Sequence, residues 1–240
     1  MNFKFLNDAY EWRTRIFPAL IVLLPAISGL YLWIPGARSF VGTAVSAFAA
    51  FGLLQLFANI IRDIGRVRGD SLVKTWGGMP TTIMLRHGDA TLDSVTKQRY
   101  HKFLSDAINT PFPNARSERK NLATADEVYS SAVSWLRENA RDKKKFPRVF
   151  EGLVNYSFMK NMWAVRWYAL AFNGLVIAIN IFAVNVTYGG QVTSARPSIM
   201  GFTVFSVIFP VLWLFMTKGA VKRAGFEYAR ALLSTCEKIP

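Results

Sequence analysis

Arg166, Asn173, Asn180 and Thr187 stand at seven-residue intervals within the apolar stretch from Trp163 to Thr187. An α-helix turns about 100° per residue, so seven residues make two turns less about 20°, and the four groups share one narrow stripe. A side-chain amide both donates and accepts. It can bond a neighbouring helix or solvate water and ions without fixing a charge, but facing lipid it would be costly. Two chemistries follow: helix–helix hydrogen bonding, or a wet pathway along the stripe, with Arg166 at its inner mouth opposing cations unless paired. Gln55 and Asn59, four residues apart, form a second polar patch with the same two readings, and Arg62 and Arg66 continue their side of the helix.

A second constellation suits anions. Trp76, Gly77 and Gly78 precede Arg86, His87, Arg99 and Lys102, so an aromatic plate, close-approach backbone and cations are available to a nucleotide or a short single strand. Anionic inner-leaflet lipid explains the same cations, and Lys143 to Lys145 with Arg148 fit that explanation better because a span follows them. Catalytic patterns are missing: there is no G-x-S-x-G, P-loop, G-x-G-x-x-G or H-E-x-x-H sequence. Asp89 and Asp93 suit a helix start, His87 and His101 suit surface or hydrogen-bonded core positions, and Cys236 suits packing. No catalytic residue, metal ligand set or cofactor is therefore expected, and an enzyme is disfavoured.

The elements that would carry these residues come from composition and hydropathy. The 240 residues are 52% hydrophobic and only 18% charged, with 29 Lys and Arg against 15 Asp and Glu, which suits a small multispan membrane protein. Its single cysteine excludes an internal disulfide. Residues 1–15 place Phe3, Leu6, Tyr10 and Trp12 as in a short interfacial helix. Span one runs over 16–34 with Pro25 bending it, a turn follows at 35–39, and span two covers 40–61, so 16–61 is a hairpin. Thr43 and Ser46 lie elsewhere on span two and can bond their own backbone.

A basic domain over 62–162 comes next. Gly69 to Pro80 reads as a loop and Thr81 to Leu85 as a brief extended run. Thr91 caps a helix to Asn109, and Thr124 opens a capping box for a helix that Lys143 to Lys145 close. After Pro147 a helix runs from about Val149 into the third span. Residues 163–216 form the second hairpin, with an outer loop from Tyr188 to Ser198 and a kink at Pro210, and 217–240 form an amphipathic tail. The fold class is therefore all-α: four transmembrane helices as two hairpins, with a largely helical cytoplasmic domain inserted between spans two and three. Only Arg38 and Arg196 of the basic residues fall in outer loops, so the positive-inside rule puts both termini and the body in the cytoplasm.

The words Thr75-Trp76-Gly77-Gly78-Met79-Pro80-Thr81-Thr82 with Leu85-Arg86, and Asn155-Tyr156-Ser157-Phe158-Met159-Lys160-Asn161, resemble motifs of the transmembrane effectors of Hailong-type anti-phage systems. The resemblance covers the body and the start of the third span. It implies a homo-oligomeric channel held shut by short single-stranded DNA from a nucleotidyltransferase-like partner, which depolarises the cell when the DNA is lost. Four spans are too few to enclose a water path. Copies, taken as a tetramer, must then surround an axis, with Asn173, Asn180 and Thr187 lining it beside Gln55, Asn59 and Arg166. The alternative is a non-conducting adaptor in the bilayer that docks a soluble partner. A transporter ranks last, because no acidic residue lies in the spans.

Overall fold

The computed structural model describes residues 9–34, 40–189 and 196–239, with backbone alone over 40–50. The proposed positions of Phe3 and Leu6, the 35–39 turn with Arg38, the side chains of Thr43 and Ser46, and outer-loop residues 190–195 lie outside it. Among the described residues all regular structure is helical. In order, the helices are α1 (Ala9–Trp33), α2 (Phe40–Thr75), α3 (Pro80–Leu85), α4 (Ser94–Ala107), α5 (Ala115–Lys120), α6 (Leu122–Asn139), α7 (Pro147–Tyr188), α8 (Pro197–Ile208) and α9 (Lys218–Leu233). A 3₁₀ segment, Phe209–Phe215, prolongs α8, and another, Ser234–Glu237, prolongs α9. Among the described residues, three stretches are long and apolar enough to cross a membrane: α1, α7 and Pro197–Phe215.

The chain divides into two compact units. One, here the apolar unit, comprises Met1–Gly69 and Ser157–Ala220; the other, the body unit, comprises Asp70–Tyr156 and Val221–Pro240. In the apolar unit Ile16, Ala19, Val22, Ala58, Ile61, Met162, Val165, Ala169 and Trp213 bury one another. Ala19, Ala58 and Ala169 among them let helix backbones come close, and close approach is what packs helices where lipid supplies no hydrophobic drive. Proline shapes two of the helices. Pro18 offers no N–H to the carbonyl four residues back, and α1 widens into a π-helical turn over Trp12–Ile16 just ahead of it. Near Pro210, where a kink is expected, α8 gives way to 3₁₀ winding over Phe209–Phe215.

The body unit corrects several boundaries. Helix α2 runs through Asp70–Thr75, and Gly69 to Pro80 is therefore a loop only from Trp76 to Met79. Thr81 to Leu85 is helical, not extended, because Pro80 at its first position supplies a preset φ and a missing donor that costs nothing there. Asp93, not Thr91, caps α4 by accepting from Thr96 N at 2.8 Å. Asn121 caps α6 through Thr124 N at 3.2 Å, so that helix begins ahead of the expected capping box. It ends at Asn139, before the lysines. Those lie in a turn where Asp142 accepts from Lys144 N and Lys145 N, and the same bonds hold its carboxyl below the ordinary range.

Candidate functional site

Helix α7 carries a line of polar side chains, and the structure gives each of its members a partner inside the apolar unit or leaves it exposed near the helix's C-terminal end. Asn161 Nδ2 donates to Thr14 O at 2.6 Å. That carbonyl is four residues before Pro18, so it is the acceptor whose intrahelical donor the proline removed. Asn180 is bonded on both sides: Oδ1 accepts from Trp33 Nε1 at 3.0 Å and Nδ2 donates to Thr203 Oγ1 at 2.9 Å. Asn173 is 1% exposed, donates to Val22 O over a long 3.5 Å, and leaves its Oδ1 without a partner. Arg166 Nη1 donates to Met216 O at 3.0 Å, at the carbonyl end of the 3₁₀ segment, where acceptors are unsatisfied and the dipole favours a cation. Thr187 is exposed.

Three of these bonds share one sequence offset. Tyr10 with Ser157, Thr14 with Asn161 and Trp33 with Asn180 are each 147 residues apart. A constant offset along two touching helices means that they run parallel and in register, so α1 and α7 point the same way throughout the contact. Asn173, Asn180 and Arg166, expected along a conduction path, each bond a group of the same copy. Gly65 is part of the same seam, since a Cβ there would lie 2.0 Å from Asn161 Oδ1.

Gln55 and Asn59 behave differently. Both are half-buried and neither has a hydrogen-bond partner among the described residues. With Glu11, Arg15 and Arg62 they line a polar cavity of about 160 Å³ in the apolar unit. Arg15 holds Glu11 at 2.6 Å, and Arg62 Nε meets Asp63 at 3.1 Å.

In the body unit the loop Arg86-His87-Gly88-Asp89 is gripped from all sides. The Arg86 guanidinium reaches Asp126 twice, Nε to Oδ1 at 2.9 Å and Nη2 to Oδ2 at 2.6 Å, and Nη2 also donates to Gly77 O at 2.6 Å. The bond to Asp126 raises the Arg86 pKa further. Gly77 and Gly78 have φ of 83° and 143°, and a Cβ on Gly78 would sit 2.9 Å from Arg86 Nη2, so the glycine pair folds the backbone onto the arginine. Buried Glu118 accepts from His87 N and from Tyr129 Oη at 2.7 Å. Burial alone would lift its carboxyl, but these bonds hold it below the usual value, and burial with Glu118 drives the Tyr129 phenol well up. Buried Lys97 donates to Arg86 O and Asp89 O, and burial lowers its ammonium.

The expected anion set is thus redistributed. Arg86 is an internal clamp, the His87 ring bonds Pro113 O at 2.9 Å, and Arg99 meets Glu237 at 2.9 Å in an exposed pair. Trp76 is half-buried and Lys102 exposed. His101 bonds Leu85 O at 2.6 Å, and burial lowers its pKa; Cys236 is buried, its thiol pushed up to about 12. Among the described residues no cluster of His, Cys, Asp and Glu could hold a metal. Sequence reasoning missed Asn161, Glu118 and Lys97; the signal for Asn161 was Pro18, which orphans a carbonyl that some donor must satisfy. No family model, curated protein or solved structure matches the chain.

Proposed function

We propose that the chain is a four-span bacterial inner-membrane protein with cytoplasmic termini, acting as the subunit of a homo-oligomeric channel that an anionic ligand gates through the basic body. The ligand is a nucleotide or short single-stranded DNA, and a nucleotidyltransferase-like protein is its source. Two parallel spans, α1 and α7, require the chain to return between them. Helix α2, continuous over Phe40–Thr75, is the element that supports this return as a fourth span.

The observation that carries the channel reading is the unpartnered amide pair on α2. Every amide of the α7 seam has a bond within the copy, whereas Gln55 and Asn59 open on a polar cavity. Repeated around an axis, they form a polar ring that bears no charge of its own. On the ligand side, exposed ion pairs such as Arg99–Glu237 are weak, so a polyanion can compete for Arg99, with Lys102, Arg116, Arg119 and Lys120 also exposed.

Single-channel recording in planar bilayers tests this. Gln55→Leu with Asn59→Leu should abolish current in protein that still inserts, while Asn180→Leu should keep the unit conductance. Wild-type currents from the double variant would remove α2 from the path. Titration with short oligonucleotides at two salt concentrations tests the ligand: no binding at low salt rejects it. The closed α7 seam also favours a second reading, a non-conducting adaptor. That reading requires no current under any ligand condition and a soluble partner retained by the full-length protein.

A further inference from the structure

The polar cavity of the apolar unit has the composition of a phosphate site. Its two arginines each meet a carboxylate, Arg15 with Glu11 at 2.6 Å and Arg62 Nε with Asp63 at 3.1 Å, but the Arg62 Nη groups and the side-chain amides of Gln55 and Asn59 offer N–H donors that nothing among the described residues occupies. Guanidinium groups match oxyanion geometry, and amides complete the coordination. At about 160 Å³ the cavity is smaller than the roughly 300–1,000 Å³ of a typical small-molecule site, so it takes a headgroup fragment and excludes a whole nucleotide. Arg15 directly precedes the apolar run of α1 and Arg62 directly follows that of α2, which places the cavity at the inner headgroup level of the proposed topology. Large apolar side chains stand exposed at the positions next to the lining: Phe17 is 46% exposed, Leu56 54% and Ile60 44%. A free anion has no use for that surface, whereas an acyl chain does.

We infer that this cavity binds the phosphodiester of an anionic inner-leaflet phospholipid, with Arg15, Arg62, Gln55 and Asn59 as donors and the acyl chains along Phe17, Leu56 and Ile60. The inference rests on the four-span topology of the channel reading but not on conduction, and it names a ligand of the polar face which that reading assigns to the path. A bound headgroup would occupy Gln55 and Asn59 and so set how readily the face is wetted.

Native mass spectrometry of the full-length protein, stripped of lipid and titrated with phosphatidylglycerol, phosphatidylcholine or inorganic phosphate, tests it. Phosphatidylglycerol should bind in preference to phosphatidylcholine. Arg62→Gln should weaken that binding about tenfold, the loss expected for one charge-assisted bond, and Arg66→Gln on the exposed flank should not. Equal binding of the two lipids, an Arg62→Gln affinity equal to wild type, or inorganic phosphate displacing phosphatidylglycerol at millimolar concentration would each overturn the lipid assignment, the last in favour of a free-anion site. If phosphatidylglycerol binds as stated and no current is ever seen, the channel reading fails and the site stands. Currents that are lost in the α2 double variant, together with no lipid preference, give the converse.

Discussion

Both units bury polar side chains, but they bury different kinds. The α7 seam uses neutral amides, and its best-placed members answer backbone or indole groups that α1 leaves open: Asn161 on Thr14 O and Asn180 on Trp33 Nε1. The body buries charges, Lys97 tied to two carbonyls of the Arg86–Asp89 loop and Glu118 to that loop's His87 N and to Tyr129 Oη on α6. A neutral amide with one bond is affordable in an apolar setting, since its desolvation is modest. A charge is retained only where several hydrogen bonds converge on it. The same contrast sets how much each group should matter. Removing a buried charge partner typically costs several kcal/mol, whereas hydrogen bonds between membrane helices average about 0.6 kcal/mol, because the unfolded chain in lipid also finds partners.

The comparison breaks most readily at Glu118. Replacing it with Leu strands His87 N and Tyr129 Oη in the interior, and the body should lose about 3 kcal/mol; Glu118→Gln keeps an acceptor and should lose about half of that. Chemical denaturation in mixed micelles, followed by hydrogen exchange of the α4 and α6 amides, measures both. Equal losses would mean that charge is irrelevant to the clamp.

Next in size is Asn161. In Asn161→Leu the Thr14 carbonyl has neither its helical donor nor a side chain, and Leu must also fit against Gly65, so a loss of about 1.5–2 kcal/mol is expected. Substituting Ala for Pro18 at the same time restores a backbone donor to Thr14 O and should recover part of that loss. If no recovery is seen, the seam is not keyed to the proline.

A pH scan sharpens the body side of the contrast. Burial lowers the His101 pKa from its ordinary 6.5; its bond to Leu85 O and the Glu118 charge oppose that shift, while His87 and Lys97 add to it. With the folded value depressed, the unfolded chain binds more protons as pH falls below 6.5, so body stability falls from there down to the folded pKa and then levels. Glu118, also depressed, adds a second loss below its ordinary 4.5. Denaturation midpoints followed from pH 7.5 to about pH 3.5 should show both declines, and His101→Phe, which keeps ring contacts with Phe112 and Tyr129, should flatten the first and leave the second.

What the sequence disclosed follows the same physics. Periodicity placed Asn173 and Asn180 on one buried stripe, since a helix fixes angular position from spacing alone. It could not tell a neighbouring helix from a water path, because the partners Trp33, Val22 and Thr203 are chosen by the register of α1 and α8 against α7. Asn161 falls outside the heptad spacing, so periodicity does not assign it to the stripe. In the body, cations were legible but their partners were not. Arg86 meets Asp126 forty residues away, and nothing in local spacing separates a clamp from a ligand contact. Cap residues were misplaced by two or three residues for a related reason: Asp93 and Asn121 each bond an N–H three residues ahead, and Thr91 and Thr124 offered equally plausible oxygens.

The smallest expected effect separates two members of the same stripe. Asn180 makes two bonds of ordinary length, and Asn180→Leu leaves Trp33 Nε1 and Thr203 Oγ1 without that partner, for a loss of about 1 kcal/mol. Asn173 makes one bond at 3.5 Å and carries a buried oxygen with no donor, so Leu there removes an unpaired acceptor and gives up almost nothing. Asn173→Leu should therefore be neutral or stabilising by up to about 1 kcal/mol. Equilibrium unfolding of the two variants side by side in mixed micelles decides the matter. If Asn173→Leu stabilises and also silences current, its unpaired oxygen faces the conducting path and the α7 stripe returns to the pore. If it stabilises with current unchanged, the amide belongs to packing alone and α2 keeps that role.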